Sequence, residues 1–88
     1  MKVIKIGAIW CNACLVMKPR WKKLEEKLSW LDTEYYDADE DPRILDQRGV
    51  KDIPCFIFLD KNGKEIKRLN GEIEEKELEA VLLELKEK

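Results

Sequence analysis

The chain has 88 residues, 17 basic and 19 acidic, for a net charge of −2, and that length holds one small domain, 1–88. A composition 44% hydrophobic and 41% charged excludes a disordered tail, and the balance of signs excludes a strongly basic nucleic-acid binder. No apolar run approaches the ~18 residues of a membrane span, so neither nucleic acid nor membrane is an expected partner. In chain order, "KVIKIGA" (2–8) is rich in Val and Ile, ends at Gly7 and predicts a buried strand. Met17, Trp21, Leu24 and Leu28 then fall at i, i+4, i+7 and i+11, the stripe of an amphipathic helix, with Pro19 inside it to kink it. "TEYYD" (33–37) predicts a second strand. "DEDPRILDQRG" (39–49) carries a capping Asp41, Pro42 at the first helical position and Gly49 at the stop. "CFIFL" (55–59) is a wholly apolar strand, "DKNG" (60–63) a turn and "KEIKRL" (64–69) its antiparallel return. Leu78, Val81, Leu82 and Leu85 mark a last amphipathic helix within a solvated Lys/Glu-rich stretch, 72–88.

The order β-α-β-α-β-β-α predicts an α/β fold, a mixed four-stranded sheet with helices on both faces. The first crossover supplies a right-handed parallel pair and the hairpin adds antiparallel strands. Trp21 is assigned to the core, Trp30 to the end of the first helix, and Tyr35-Tyr36 to core and surface.

Chemistry concentrates in "IWCNACLVMKP" (9–19), where Cys11 and Cys14 stand two residues apart. The absence of histidine excludes a Cys-His dyad and a Cys2His2 zinc site. Three readings of the pair remain. Half a zinc knuckle has only Cys55 and carboxylates to complete it. A structural disulfide closes too small a loop to stabilise much. A redox dithiol needs its first Cys at a helix N-terminus, where unpaired N–H groups and the dipole favour a thiolate, and strand–Cys11–helix provides that. Cys14, one turn on, can then attack a mixed disulfide formed by Cys11.

"WCNAC" after a strand, Pro19 five residues beyond the second Cys, "DADEDP" (37–42), "VKDIP" (50–54) and Gly71 resemble the thioredoxin family over nearly the whole chain. The size is that of a thioredoxin trimmed of its first strand and helix. The resemblance implies a thioredoxin-like fold and a protein-disulfide reductase. Cys11 is then the exposed nucleophile and Cys14 the buried resolving thiol. Trp10 flanks the nucleophile and shapes the substrate surface. Pro54 matches the family's cis-proline, Ile53 presents its backbone to an extended substrate segment, and Gly71 completes the groove. Disulfide-containing proteins are the implied substrates. A flavoprotein thioredoxin reductase, or else glutathione, is the implied donor, since no dinucleotide-binding G-x-G-x-x-G occurs and no cofactor is expected. A cytoplasmic monomer is expected, because the N-terminus has no signal-peptide core and three cysteines make a poor secreted framework.

Three positions depart from the family pattern. Asn12-Ala13 replaces Gly-Pro between the cysteines, which shifts the redox potential. Lys5 stands at the family's buried-Asp position, with Tyr35 at about that of its partnering lysine. Lys5 either lowers nearby thiol pKa values or pairs with an acidic neighbour. Cys55 replaces a usual Thr and is expected beside Cys11 and Cys14, either as a small buried hydrophobe or as a third thiol. The alternative functions are therefore a metal- or Fe–S-cluster-binding protein using Cys11, Cys14 and Cys55, and a non-catalytic docking module around Trp10 and Pro54.

Overall fold

The computed structural model describes all residues, 1–88. It contains β1 (Lys2–Gly7), α1 (Asn12–Lys27), β2 (Asp32–Asp37), α2 (Arg43–Arg48), β3 (Cys55–Leu59), β4 (Glu65–Asn70) and α3 (Glu75–Leu85), in the expected order. The sheet runs β2-β1-β3-β4, with β1 parallel to β2 and the other pairs antiparallel. The hairpin turn forms because the Asp60 carboxylate accepts the Asn62 and Lys64 N–H groups at 2.8 and 2.9 Å. The β3–β4 register shifts between Phe58 and Leu59.

Period-two alternation divides the core. Val3, Phe56 and Phe58 face α1 and α3, where they pack with Met17, Trp21, Leu24, Leu78, Leu82 and Leu85. Ile4, Ile6, Cys55, Ile57 and Leu59 face the other way, towards Ile44 of α2. Helices thus cover both faces. Trp21 anchors the larger cluster, its ring 5.3 Å from that of Phe56 and 6.4 Å from that of Phe58. Burying each such side chain contributes roughly 1.5–3 kcal/mol. Its indole N–H has no partner.

One sequence expectation changes at the helices. Asp41 does not cap α2: Pro42 occupies the cap position in helical conformation, without a side-chain capping bond. The preceding turn already closes on Asp37, whose carboxylate accepts the Asp39 and Glu40 N–H groups and whose carbonyl accepts that of Asp41. Pro19 does lie inside α1, but on the solvent side, and the helix continues to Lys27. Gly49 ends α2 as expected, at φ 62°. No helix is long and apolar enough to cross a membrane.

Candidate active site

The strand β1 delivers the chain to the start of α1, and Cys11 is its N-cap residue. Extended backbone (φ −90°, ψ 114°) turns the Cys11 side chain back so that its Sγ accepts the Cys14 N–H at 3.2 Å. No acidic residue occupies the first turn. Amide dipoles and the Cys14 N–H therefore converge on the Cys11 sulfur with no carboxylate in the first turn to oppose them. All three cysteines are free thiols. The Cys14 thiol is pushed up to about 11, first by burial and then by its hydrogen bond with Cys11.

Exposure of the two runs opposite to the sequence expectation. Cys11 is the buried one, 8% exposed, and Cys14 is half-buried, opening onto a cleft of about 340 Å³. Gly7 explains the opening. With no side chain at this position, the Cys14 Sγ packs where a Gly7 Cβ would stand, 3.0 Å away, and the Tyr35 hydroxyl comes within 3.4 Å of the same point.

Lys5, Gly7, Tyr35 and Asp37 reach the cleft together with Cys14, and Trp21 and Phe56 form its floor. This follows from strand parity: Lys5 lies opposite Tyr35, and Gly7 opposite Asp37, in the parallel β1–β2 register. Lys5 neither faces the thiols freely nor reaches open solvent. Its ammonium pairs with Glu25 of α1 at 2.6 Å and sits 5.6 Å from the Trp21 ring centroid. Glu25 also accepts from the Thr33 hydroxyl at 3.0 Å. Of the two sequence alternatives for Lys5, the acidic neighbour holds.

Trp10 is 65% exposed beside Cys11, and its indole N–H donates to Asp39 at 2.7 Å. The Ile53–Pro54 peptide bond is cis. Ile53 is half-buried and Pro54 buried, and the Pro54 carbonyl accepts the Gly71 N–H at 2.9 Å, bringing Ile53, Pro54 and Gly71 to one place. Gly71 adopts φ 82°, which only glycine takes easily. Asn12 is exposed and Ala13 half-buried, both in the first turn of α1.

Cys55 requires a correction. It is fully buried, but in the cluster under α2, on the sheet face away from α1. Its neighbour Phe56 takes the cleft side, so alternation along β3 points the thiol away from the pair. The three thiols do not converge, and no group of three or more Cys, Asp or Glu side chains is placed to hold a metal ion. Sequence reasoning missed Gly7 and Asp39, and it placed Tyr35 near Lys5 only through the family resemblance. Parity in the parallel pair was the signal that could have placed Gly7 and Tyr35 beside Lys5.

The thioredoxin family model matches residues 1–84. Thioredoxin H5 of Oryza sativa subsp. japonica is 38% identical over 69 residues, which cover 78% of this chain and 50% of the rice protein. Thioredoxin of Pongo abelii is 34% identical over 83 residues, 94% of this chain and 77% of the other. The chain thus spans about half the length of the first and about three quarters of the second. Among solved structures, the thioredoxin NaTrxh of Nicotiana alata superposes with a TM-score of 0.87 at 32% identity, over 96% of this chain and 71% of that one. The chain belongs to the thioredoxin family of thiol–disulfide oxidoreductases, whose members act on disulfide substrates with reductase donors.

Proposed function

We propose that this chain is a protein-disulfide reductase working through Cys11 and Cys14. The observation that carries the reading is the Cys14 N–H bond to Cys11 Sγ at the N-terminus of α1. It holds the two thiols one turn apart. The Cys11 thiolate attacks a substrate disulfide and expels one substrate sulfur as a thiolate, leaving a mixed disulfide. Cys14 loses its proton and attacks Cys11 Sγ. The Cys11–Cys14 bond forms, the bond to substrate breaks, and the second substrate sulfur leaves and takes up a proton.

Exposed Trp10 and the meeting of Ile53, Pro54 and Gly71 support an extended substrate segment docking beside Cys11. The donor that returns two electrons is a flavoprotein thioredoxin reductase, with glutathione as the alternative, and the working form is a cytoplasmic monomer. Asn12 and Ala13 set the potential away from that of a Gly-Pro pair.

The test is equilibration across dithiothreitol or glutathione poises, followed by alkylation and mass spectrometry. One Cys11–Cys14 transition near the thioredoxin value of roughly −270 mV supports a reductase. A far more oxidising midpoint makes it an oxidase or isomerase, and absence of the Cys11–Cys14 disulfide rejects the mechanism.

A further inference from the structure

Resolution by Cys14 has a proton problem. With its thiol at about 11, roughly one molecule in ten thousand carries the Cys14 thiolate at neutral pH. Apolar walls from Met17, Trp21 and Phe56 penalise that charge further. Something on the cleft side has to stabilise it as it forms.

Each charged or titratable group around Cys14 can be weighed in turn. Lys5 of β1 is committed to Glu25. Asp37 of β2 is an acceptor, already engaged by the Asp39 and Glu40 N–H groups, and its charge opposes a thiolate. Lys18 of α1 is exposed on the cleft's outer wall. The Cys11 sulfur is the electrophile in this step. Glu40, in the turn after β2, adds only negative charge on the Tyr35 side. Tyr35 is different. Its neighbour Tyr36 gives its hydroxyl to Glu34 at 3.2 Å, whereas no hydrogen bond within the chain occupies the Tyr35 hydroxyl. That hydroxyl and the Cys14 sulfur lie 3.4 and 3.0 Å from one point over Gly7, so their separation is at most the sum of the two, a gap that one water can bridge.

We propose that Tyr35 is the hydrogen-bond donor that stabilises Cys14 as a thiolate during resolution, directly or through one water in the cleft. The inference rests on the reading of Cys14 as the resolving thiol. Tyr35 is 56% exposed as a residue, but its hydroxyl end reaches the cleft, where desolvation first, then the Asp37 carboxylate and the Cys14 and Cys11 sulfurs, raise the phenol above the ordinary tyrosine value. It stays protonated and remains a donor. It is a positioning residue that takes no electrons: the Cys14 proton passes to cleft water, the Cys14 electron pair forms the bond to Cys11, and the departing substrate sulfur is protonated from solvent.

Two measurements on Tyr35→Phe test this. In a Cys11→Ser background, the pH dependence of Cys14 alkylation, read by mass spectrometry, gives the Cys14 ionisation midpoint. Loss of the donor should move that midpoint upward. In the chain with both thiols, release of the second thiol from a preformed mixed disulfide on Cys11 should slow roughly tenfold. Formation of the mixed disulfide, timed in a Cys14→Ser background, should not change. A fluorinated tyrosine at position 35 keeps the shape and, near neutral pH where its phenol is still protonated, donates more strongly, so Cys14 alkylation at that pH should quicken. It decides the matter even if Phe disturbs the fold. An unchanged midpoint in the Phe variant together with an unchanged neutral-pH rate in the fluorinated one, or equal slowing of both steps, overturns the proposal. If Cys11 and Cys14 never form a disulfide, the reductase reading fails, while the alkylation midpoint still reports on Tyr35.

Discussion

The Cys14 sulfur lies 3.0 Å from the position that a Cβ on Gly7 would occupy, tighter than nine in ten real Cβ contacts. Gly7 is not among the glycines at positive φ, so space and not backbone freedom keeps a side chain out. The Tyr35 hydroxyl, 3.4 Å from the same point, closes the other side. A methyl group here requires the Cys14 sulfur to give by a few tenths of an ångström. Gly7→Ala should cost about 1–3 kcal/mol, as overpacking in a well-packed site does. It should also shift the Cys11–Cys14 redox midpoint, because the displaced atom is a member of the pair. Denaturant melts and thiol-poise titrations would show both effects, and a stable variant with an unchanged midpoint would mean the cleft yields freely.

The environment of Cys14 also makes the reduced protein sensitive to alkali. Its thiol rises from 9.0 to about 11 on folding, so the fold prefers the neutral form. The stability from this preference is fully present below the unfolded value and is lost as pH climbs through the folded one. The size is on the order of 2 kcal/mol. Denaturant midpoints of the reduced chain should therefore fall between pH 9 and 11 more steeply than those of Cys14→Ala. Parallel decline of the two proteins would remove burial of Cys14 as the cause.

Lys5 and Glu25 give an asymmetric pair of substitutions. The Lys5 side chain is 16% exposed and that of Glu25 32%, at 2.6 Å, so each depends on the other unequally. Glu25→Gln strands an ammonium against Trp21 and should cost about 1–3 kcal/mol. It also leaves a cation free in the cleft, which should lower the pH at which Cys14 is alkylated. Lys5→Met keeps an unbranched chain on Trp21 and leaves Glu25 its Thr33 bond and partial hydration, so its cost should be smaller. Equal losses for both variants would show that hydrogen bonding, and not charge, dominates the pair.

What the sequence could reveal follows from how local each signal is. Apolar runs and stripes, together with the Pro, Gly and turn residues that bound them, placed the seven elements because each signal sits within one segment, and the Cys11–helix relationship is as local. The N-terminus of α2 was misread because the turn before it closes on Asp37, four residues before the expected cap, and the Ile44 and Leu45 N–H groups bond to the Asp41 and Pro42 carbonyls. Cys55 was misplaced through its nearness in sequence to Pro54: one step along a strand reverses a side chain, and Pro54 lines the cleft while Cys55 does not. The exposure order of Cys11 and Cys14 depends on Gly7, whose strand end says nothing about which helix residue packs over it. Tyr35 depends on the β1–β2 register, a contact between segments about thirty residues apart.

Cys55 supplies the last prediction. It is fully buried, its thiol is raised by burial and offset in part by Arg68, and its cluster lies under α2. A thiol so placed packs as a small hydrophobe and has no route to Cys11 or Cys14 while the sheet is intact. Cys55→Ala should therefore lower stability by about 1–2 kcal/mol through the lost sulfur volume. The Cys11–Cys14 midpoint and the rate of substrate reduction should stay at their original values. Poise titration and alkylation mapping of the variant beside the parent chain would check this. A shifted midpoint, or a Cys55 disulfide in the oxidised parent, would mean that the strand turns over during the redox cycle and that Cys55 is a third working thiol.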